Sequence, residues 1–281
     1  MGWPHFAPWV VPTVPVTCSS AARGARHHRS AANGIEHDLE HDPLRWEEAA
    51  ATPAGGFRAT LEPIMKSAQA DIASLLAIWI RGWALVRGLP APVALSDGAW
   101  RVDVNQPDQL TRYVLPDGKT GLAAGLAHEL RTPATWLKVC AEREELAAVL
   151  PPHWKMSDQR TFMRLALAET AAPPISAGLS LSLTEAGPVT QAALKTGAGK
   201  TAAHGNLIIL GRHAVFDQIG TDADFRRRGL GRAIMQALAE RALARGASEG
   251  LLVATEAGRH LYLALDWRVL APYASAYIPY P

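Results

Sequence analysis

Apolar positions recur along the chain with a period that changes several times, and the changes mark out the elements. From Met65 to Gly88 the residues Ile72, Leu75, Leu76, Trp79, Trp83 and Val86 fall on one broad helical face, which predicts a helix over 65–88 broken by Leu89-Pro90-Ala91-Pro92. Alternation over Ala99–Val104 and Tyr113–Leu115 predicts strands, with a turn at Asp117-Gly118. Helix-spaced patterns follow at 120–130, 134–149 and 157–170, punctuated by Pro133, Pro151-Pro152 and Pro173-Pro174. Gly178–Leu183, Asn206–Leu210, His213–Thr221 and Leu251–Ala254 read as strands. A helix is expected from Gly229 to Arg245, stopped by Gly246, and a short one over Ala257–Ala264. Strand-like Trp267–Leu270 and Ala274–Ile278 come last.

The first 60 or so residues stand apart. They are rich in Ala, Pro, Arg and His and have little periodicity, so 1–62 is expected to be a poorly ordered leader. Because Met65 opens a better amphipathic segment, a gene start read too far upstream is an alternative, which the mass of the mature N-terminus decides. Trp9–Val16 is short, carries prolines and lacks a basic segment before it, unlike a secretory signal; Val14–Cys18 only loosely matches a lipoprotein cleavage site. Ile72–Val86 is too short to span a bilayer and is interrupted by Arg81. The remainder divides into an α/β portion at 63–174 and a C-terminal domain at 175–281.

Composition narrows the picture moderately. A chain of 281 residues, 48% hydrophobic and 19% charged, can bury a sizeable core in one or two domains. A net charge of +2 gives no bulk attraction to nucleic acid, and neither nucleic acid nor membrane is an expected partner. Cys18 and Cys140 cannot build a disulfide framework, so a reducing, cytoplasmic setting is expected. Trp79, Trp83, Trp100, Trp136 and Trp154 are weighed as lining for an apolar acceptor site against ordinary core packing.

The informative stretch is His213–Arg245. An apolar strand runs into Thr221-Asp222-Ala223-Asp224-Phe225, then Arg226-Arg227-Arg228-Gly229-Leu230-Gly231, then an amphipathic helix with Ile234, Leu238 and Leu243 on its core face. A helix N-terminus offers unpaired N–H groups and a partial positive charge. Glycines let backbone approach a phosphate, and arginines add charge-assisted hydrogen bonds. A diphosphate is the natural occupant. A Rossmann fingerprint needs Gly-x-Gly-x-x-Gly, which this loop lacks.

The loop resembles the signature of the GNAT superfamily of N-acetyltransferases, Gln/Arg-x-x-Gly-x-Gly/Ala, which Arg226–Gly231 fits in full. The apolar lead-in Ile219–Phe225 also resembles the family's. Downstream, Thr255 through Leu261-Tyr262 keeps the spacing of Asn-x-x-Ala-x-x-Leu-Tyr, with Thr255 and Gly258 in place of the Asn and Ala, and Asp266-Trp267 in place of Gly-Phe. The resemblance covers about 175–281. It implies an α/β fold with a GNAT-like mixed, mostly antiparallel sheet flanked by helices, preceded here by a helix-rich N-terminal portion. Residues 63–174 would then be either the acceptor side of that fold or a degenerate second unit of the same kind.

The resemblance also implies direct transfer of an acetyl group from acetyl-CoA, used as a co-substrate without a metal, to a primary amine, with a small-molecule acceptor expected. The strand Phe216–Thr221 would splay from Leu251–Ala254, and the pantetheine would pair near Ile219, Gly220 and Thr221. The diphosphate would sit on Arg226, Arg227, Arg228, Gly229, Leu230, Gly231 and Arg232, with Thr255 completing the cofactor contacts. A strand N–H would stabilise the oxyanion. Tyr262 would protonate the leaving thiolate, and Asp217 would accept the amine's proton, with His213 and His204 as competitors for that role. A homodimer is an option left open, as is a non-catalytic acyl-CoA-binding module.

Three other matches are set aside. Ala127-His128-Glu129-Leu130-Arg131-Thr132-Pro133 resembles the phosphoacceptor box of sensor histidine kinases, but no ATP-binding domain with an Asn box and Asp-x-Gly-x-Gly follows, so a helix end is expected, with Thr132-Pro133 starting the next helix. Leu194–Thr201 resembles a P-loop, but Leu194 stands where the first Gly is required, so a hairpin loop is expected. His37 and His41 have metal-ligand spacing in a charged segment with no evident third ligand.

Overall fold

The computed structural model describes residues 56–116, 120–170, 175 and 177–281. The chain divides into Met1–Arg58 and Ala59–Pro281, and the fold described here is that of the second unit. His37, His41, residues 1–55 of the expected leader and the Asp117-Gly118 turn lie outside the described residues, whereas residues 56–62 of that leader belong to a helix.

Helix α1 (Gly56–Val86) leads into strands β1 (Val93–Ala94), β2 (Trp100–Gln106) and β3 (Gln109–Leu115). Helix α2 (Thr120–Glu129), strand β4 (Thr135–Val139), helix α3 (Arg143–Ala147) and strands β5 (Lys155–Met156) and β6 (Arg160–Ala166) follow. Next come β7 (Leu179–Ala186), β8 (Val189–Thr196), β9 (Thr201–Leu210), β10 (His213–Thr221), helix α4 (Leu230–Ala244), β11 (Glu249–Thr255), helix α5 (Glu256–Leu263) and β12 (Arg268–Tyr277). The strands form one mixed sheet in the order β1-β2-β3-β4-β12-β6-β11-β10-β9-β8-β7, with β5 paired to β12. Only β3 with β4 and β10 with β11 pair parallel.

Strand β12 joins the two halves of this sheet. Its first half, Arg268–Tyr273, pairs with β6, and its second half, Ala274–Tyr277, pairs with β4. The separate strands expected at 267–270 and 274–278 are therefore one. The expected boundary at 174/175 falls between β6 and β7, which belong to the same sheet.

Two of the helices expected in the N-terminal portion are not helices. Residues 134–149 supply β4 and the short α3, and 157–170 supply β6. Both strands lie inside the sheet with apolar side chains on both faces, so alternation is lost and the run mimics helical spacing. In β6, Phe162 and Met163 are adjacent and both fully buried, one beneath α1 and the other beneath α4. Pro133 opens not a helix but the turn into β4, where Ala134 takes φ 56°. Strand β8 was not foreseen, since 189–196 carries Thr, Gln and Lys among its apolar residues.

The helices divide the core. On one face, Leu75, Leu76, Trp79, Ile80 and Trp83 of α1 cover Val215, Leu251, Phe162 and Tyr273. On the other, Leu230, Ile234, Met235 and Leu238 of α4 cover Ala192, Ala203, Leu207 and Phe216. Each such buried aliphatic or aromatic side chain contributes about 1.5–3 kcal/mol. A third cluster beneath α2 holds Leu115, Leu137, Leu146 and Trp154. Strand β10 thus lies between α1 and α4, with Val215 facing one helix and Phe216 the other.

Candidate active site

Strands β10 and β11 begin as neighbours and then part. They pair at His213↔Glu249, Ala214↔Gly250 and Val215↔Leu251, and not beyond, although β10 continues to Thr221 and β11 to Thr255. On its outer edge β11 stays paired with β6 as far as Thr255. On the other side, β10 stays paired with β9 through Asp217, then again at Gly220 and Thr221, with a bulge between. Gln218 sits in the bulge at φ 54°, and its amide oxygen accepts from Asn206 Nδ2 at 2.5 Å. The parting leaves backbone N–H and C=O groups of both strands facing one another across a V, and such groups need partners. Ile219, Gly220 and Thr221 form the β10 arm. The Ile219 side chain packs into the core against Gly205, so what it offers the V is backbone.

At the mouth of the V, Asp222 accepts from the Asp224 N–H and caps a single 3-10 turn at Ala223–Phe225. Arg227 follows at φ 60°, and Gly229, at φ 74°, is the N-cap of α4. Gly229 has no side chain to cap the helix, so the first-turn N–H groups of Leu230, Gly231 and Arg232 are left for an external acceptor. Arg226 to Gly229 are exposed around them. A methyl group on Gly231 would meet Leu261 at 3.0 Å and Thr221 Oγ1 at 3.6 Å, so α4 starts close against both α5 and the end of β10. An uncapped helix start ringed by arginines fits a diphosphate.

Several side chains here already have partners. Arg228 donates to the Asp224 carbonyl and lies over Phe225, and Arg232 donates to the Ala264 carbonyl, tying α4 to α5. The Thr255 hydroxyl accepts from the Gly258 N–H and so caps α5. Lys200, from the β8–β9 hairpin, is 2.7 Å from Asp224 and 3.4 Å from Asp222. The hydrogen bond to Asp224 is the main cause that raises the Lys200 pKa, and the same bond lowers that of Asp224. Lys200 thus neutralises the two carboxylates that would otherwise repel a diphosphate. Lys200 lies in the hairpin loop that the sequence predicts there, and no local signal links it to Asp222 and Asp224.

Of the candidate proton carriers, Tyr262 is buried on α5 beside Trp267, at 5.9 Å between ring centroids. Burial raises its phenol pKa, and the Asp217 carboxylate raises it further, so it stays protonated across the physiological range. The two candidates come from opposite faces of the sheet and share one electrostatic neighbourhood. Asp217 accepts from Arg87 Nε at 2.8 Å and from its Nη2 at 3.4 Å. Arg87 follows α1, 130 positions away, and carries no sequence signal that could have linked it to the site. His204 lies against Gly220 on the β10 arm, where desolvation lowers its pKa. His213 is at the closed end of β10, 3.4 Å from Glu249, away from the V. His128 ends α2, exposed, as expected of a helix terminus.

No group of three or more His, Cys, Asp or Glu side chains placed to hold a metal occurs among the described residues, and no helix there is long and apolar enough to cross a membrane.

Residues 161–267 match the acetyltransferase (GNAT) family. No curated protein matches the chain. Among solved structures, a GCN5-related N-acetyltransferase from Kribbella flavida is similar at 16% identity, over 74% of this chain and 96% of its own, with a TM-score of 0.51. One from Sphaerobacter thermophilus is similar at 15% identity, over 74% of this chain and 92% of its own, with a TM-score of 0.48. At 16% identity the likeness to the Kribbella flavida structure is one of fold.

Proposed function

We propose that the chain transfers an acetyl group from acetyl-CoA to a primary amine of a small-molecule acceptor, in line with the match of residues 161–267 to the acetyltransferase (GNAT) family. The observation that carries this reading is the parting of β10 and β11 after Val215 and Leu251, directly beside the uncapped start of α4. Acetyl-CoA supplies the activated acyl group. The N–H groups of Leu230, Gly231 and Arg232, with Arg226, Arg227, Arg228 and Gly229, would hold its diphosphate. The freed edge of β10 at Ile219, Gly220 and Thr221 would pair with the pantetheine arm, and Thr255 would border it at the tip of β11. A backbone N–H on that edge would stabilise charge on the carbonyl oxygen.

Two side chains carry protons in this scheme. The Asp217 carboxylate, steadied by Arg87, accepts a proton from the amine. The Tyr262 hydroxyl, kept protonated by its burial, donates one to the departing sulfur. The test is release of free thiol from acetyl-CoA across a panel of amines, with the wild-type chain and Tyr262→Phe. The ring contacts survive that substitution, so CoA affinity should hold while kcat falls about 10²- to 10⁴-fold, the usual worth of a positioned acid. An unchanged rate would remove Tyr262 from the scheme. CoA binding without turnover of any amine would favour a non-catalytic sensor.

A further inference from the structure

On the α1 face, the sheet gathers cations that no carboxylate binds among the described residues. Cross-strand pairs share a face. The registers Arg112↔Trp136, Lys138↔Ser275 and Arg160↔Tyr273 therefore put Arg112 of β3, Lys138 of β4, Arg160 of β6, and Tyr273 and Ser275 of β12 on one side of the sheet. Lys138 is 5% exposed, and Tyr273 and Ser275 are each 1% exposed. Among the described residues, the Tyr273 and Ser275 hydroxyls and Arg112 Nε have no hydrogen-bond partner. Neither Lys138 nor Arg160 has an ion pair there; the Lys138 ammonium rests over the Trp136 ring at 4.0 Å. Burying like charges with unpaired donors is unfavourable unless an anion compensates them.

Among the described residues, the carboxylates that act on Arg112 and Lys138 are Asp217 and Asp158. Asp158 is exposed and makes no bond to Lys138 among the described residues, and Asp217 is already held by Arg87. Burial, then Arg112 and Arg160, push the Lys138 ammonium well below the usual lysine value. Burial first, with Arg87 and Arg160 adding to it, lowers Arg112 to about 10. The cluster also lies near the V. The Trp83 ring carries Arg112 at 3.9 Å and Arg87 at 5.0 Å from its centroid, so one indole separates the cluster from the guanidinium that holds Asp217.

We propose that Arg112, Lys138, Arg160, Tyr273 and Ser275 form the acceptor subsite for an oxyanion, so that the amine acetylated also carries a carboxylate or phosphate. This rests on the acyl-transfer reading above. The acceptor would place its anion in the cluster and its amine toward Asp217. The ammonium of Lys138 and the guanidinium groups would neutralise it, and the two orphaned hydroxyls would donate to it.

The full-length chain and its Lys138→Met and Arg160→Gln variants would be assayed on matched amines: amino acids against their carboxamides, and aminoalkyl phosphates against the amino alcohols. Wild type should favour the anionic member at least about tenfold in kcat/KM, mainly through KM, since truncating one partner of a buried charge pair costs a binding site at least that much. Which pair shows the preference separates carboxylate from phosphate. Each variant should lower kcat/KM for the anionic member far more than for its neutral partner. Equal losses on both members, or no preference in wild type, would overturn the proposal. In parallel, inorganic phosphate and acetate at constant ionic strength should raise the wild-type Tm saturably, and Lys138→Met should abolish the rise. That stabilisation, without turnover of any amine, would sustain the subsite and count against acyl transfer. Transfer with neither preference nor stabilisation would do the reverse.

Discussion

A buried ammonium weighs on the fold in proportion to how far it is charged. Lys138 has a folded-state pKa depressed by burial, Arg112 and Arg160, with Asp158 opposing, so between that value and the ordinary 10.5 the unfolded chain binds more protons than the folded one. Stability must therefore rise with pH across that window, and the penalty is fully present below it. Lys138→Met should raise Tm at neutral pH, with the gain shrinking as pH approaches 10.5; calorimetry of both proteins from pH 7 to 10 measures it. At the start of α4, Gly229 lies at φ 74° with nothing within 4 Å of where an added methyl would stand, so Gly229→Ala meets no clash and costs only backbone strain. That is about 1–2 kcal/mol, read as a shifted denaturant midpoint. The helix start at Arg226–Gly231 was legible because a glycine N-cap and the residues around it are local features. Arg87 and Lys200 were not, because each reaches its partner across the fold.

Glycines on both faces permit the close packing of elements, Gly82 and Gly205 among them. A methyl on Gly82 of α1 would stand 2.6 Å from Val215 Cγ2, and one on Gly205 of β9 would stand 2.5 Å from Ile219 and 2.8 Å from Ile234. Val215 is β-branched and stiff, so α1 must shift for Gly82→Ala to be accommodated. The overpacking costs about 1–3 kcal/mol, more than the roughly 1 kcal/mol that Ala gains in a helix. Val215→Ala in the same chain should recover part of the loss, and a double-mutant cycle by denaturant unfolding tests the coupling. The shift would also draw Arg87 away from Asp217, so turnover should fall along with stability. The elements best foreseen, α4, α5, β10 and β11, each have a clear period and a stop signal such as Gly246. Strands β4 and β6 escaped because burial on both faces erases the alternation that marks a strand.

Across residues 59–281 the sheet is continuous, and β12 contributes to both halves of it. The halves should therefore unfold together. Far-UV circular dichroism and tryptophan fluorescence should give coincident urea transitions, since Trp154 and Trp267 report from cores on either side of the β12–β6 junction. Two separated transitions would show that the β4 and β6 ladders of β12 are independent. Sequence reasoning saw a GNAT-like C-terminal domain and a distinct N-terminal portion. It could not see that they share a strand, because strand pairing between 135–139 and 274–277 leaves no local trace.

The placing of β12 has a further consequence for biosynthesis. It follows every other strand in chain order yet lies between β4 and β6, so until it is made both of those strands present a bare, apolar edge. Such edges recruit other chains. A nascent chain of this protein is thus most vulnerable to association in the interval between completion of β6 and release of β12, and slow translation through α4, β11 and α5 would lengthen that exposure.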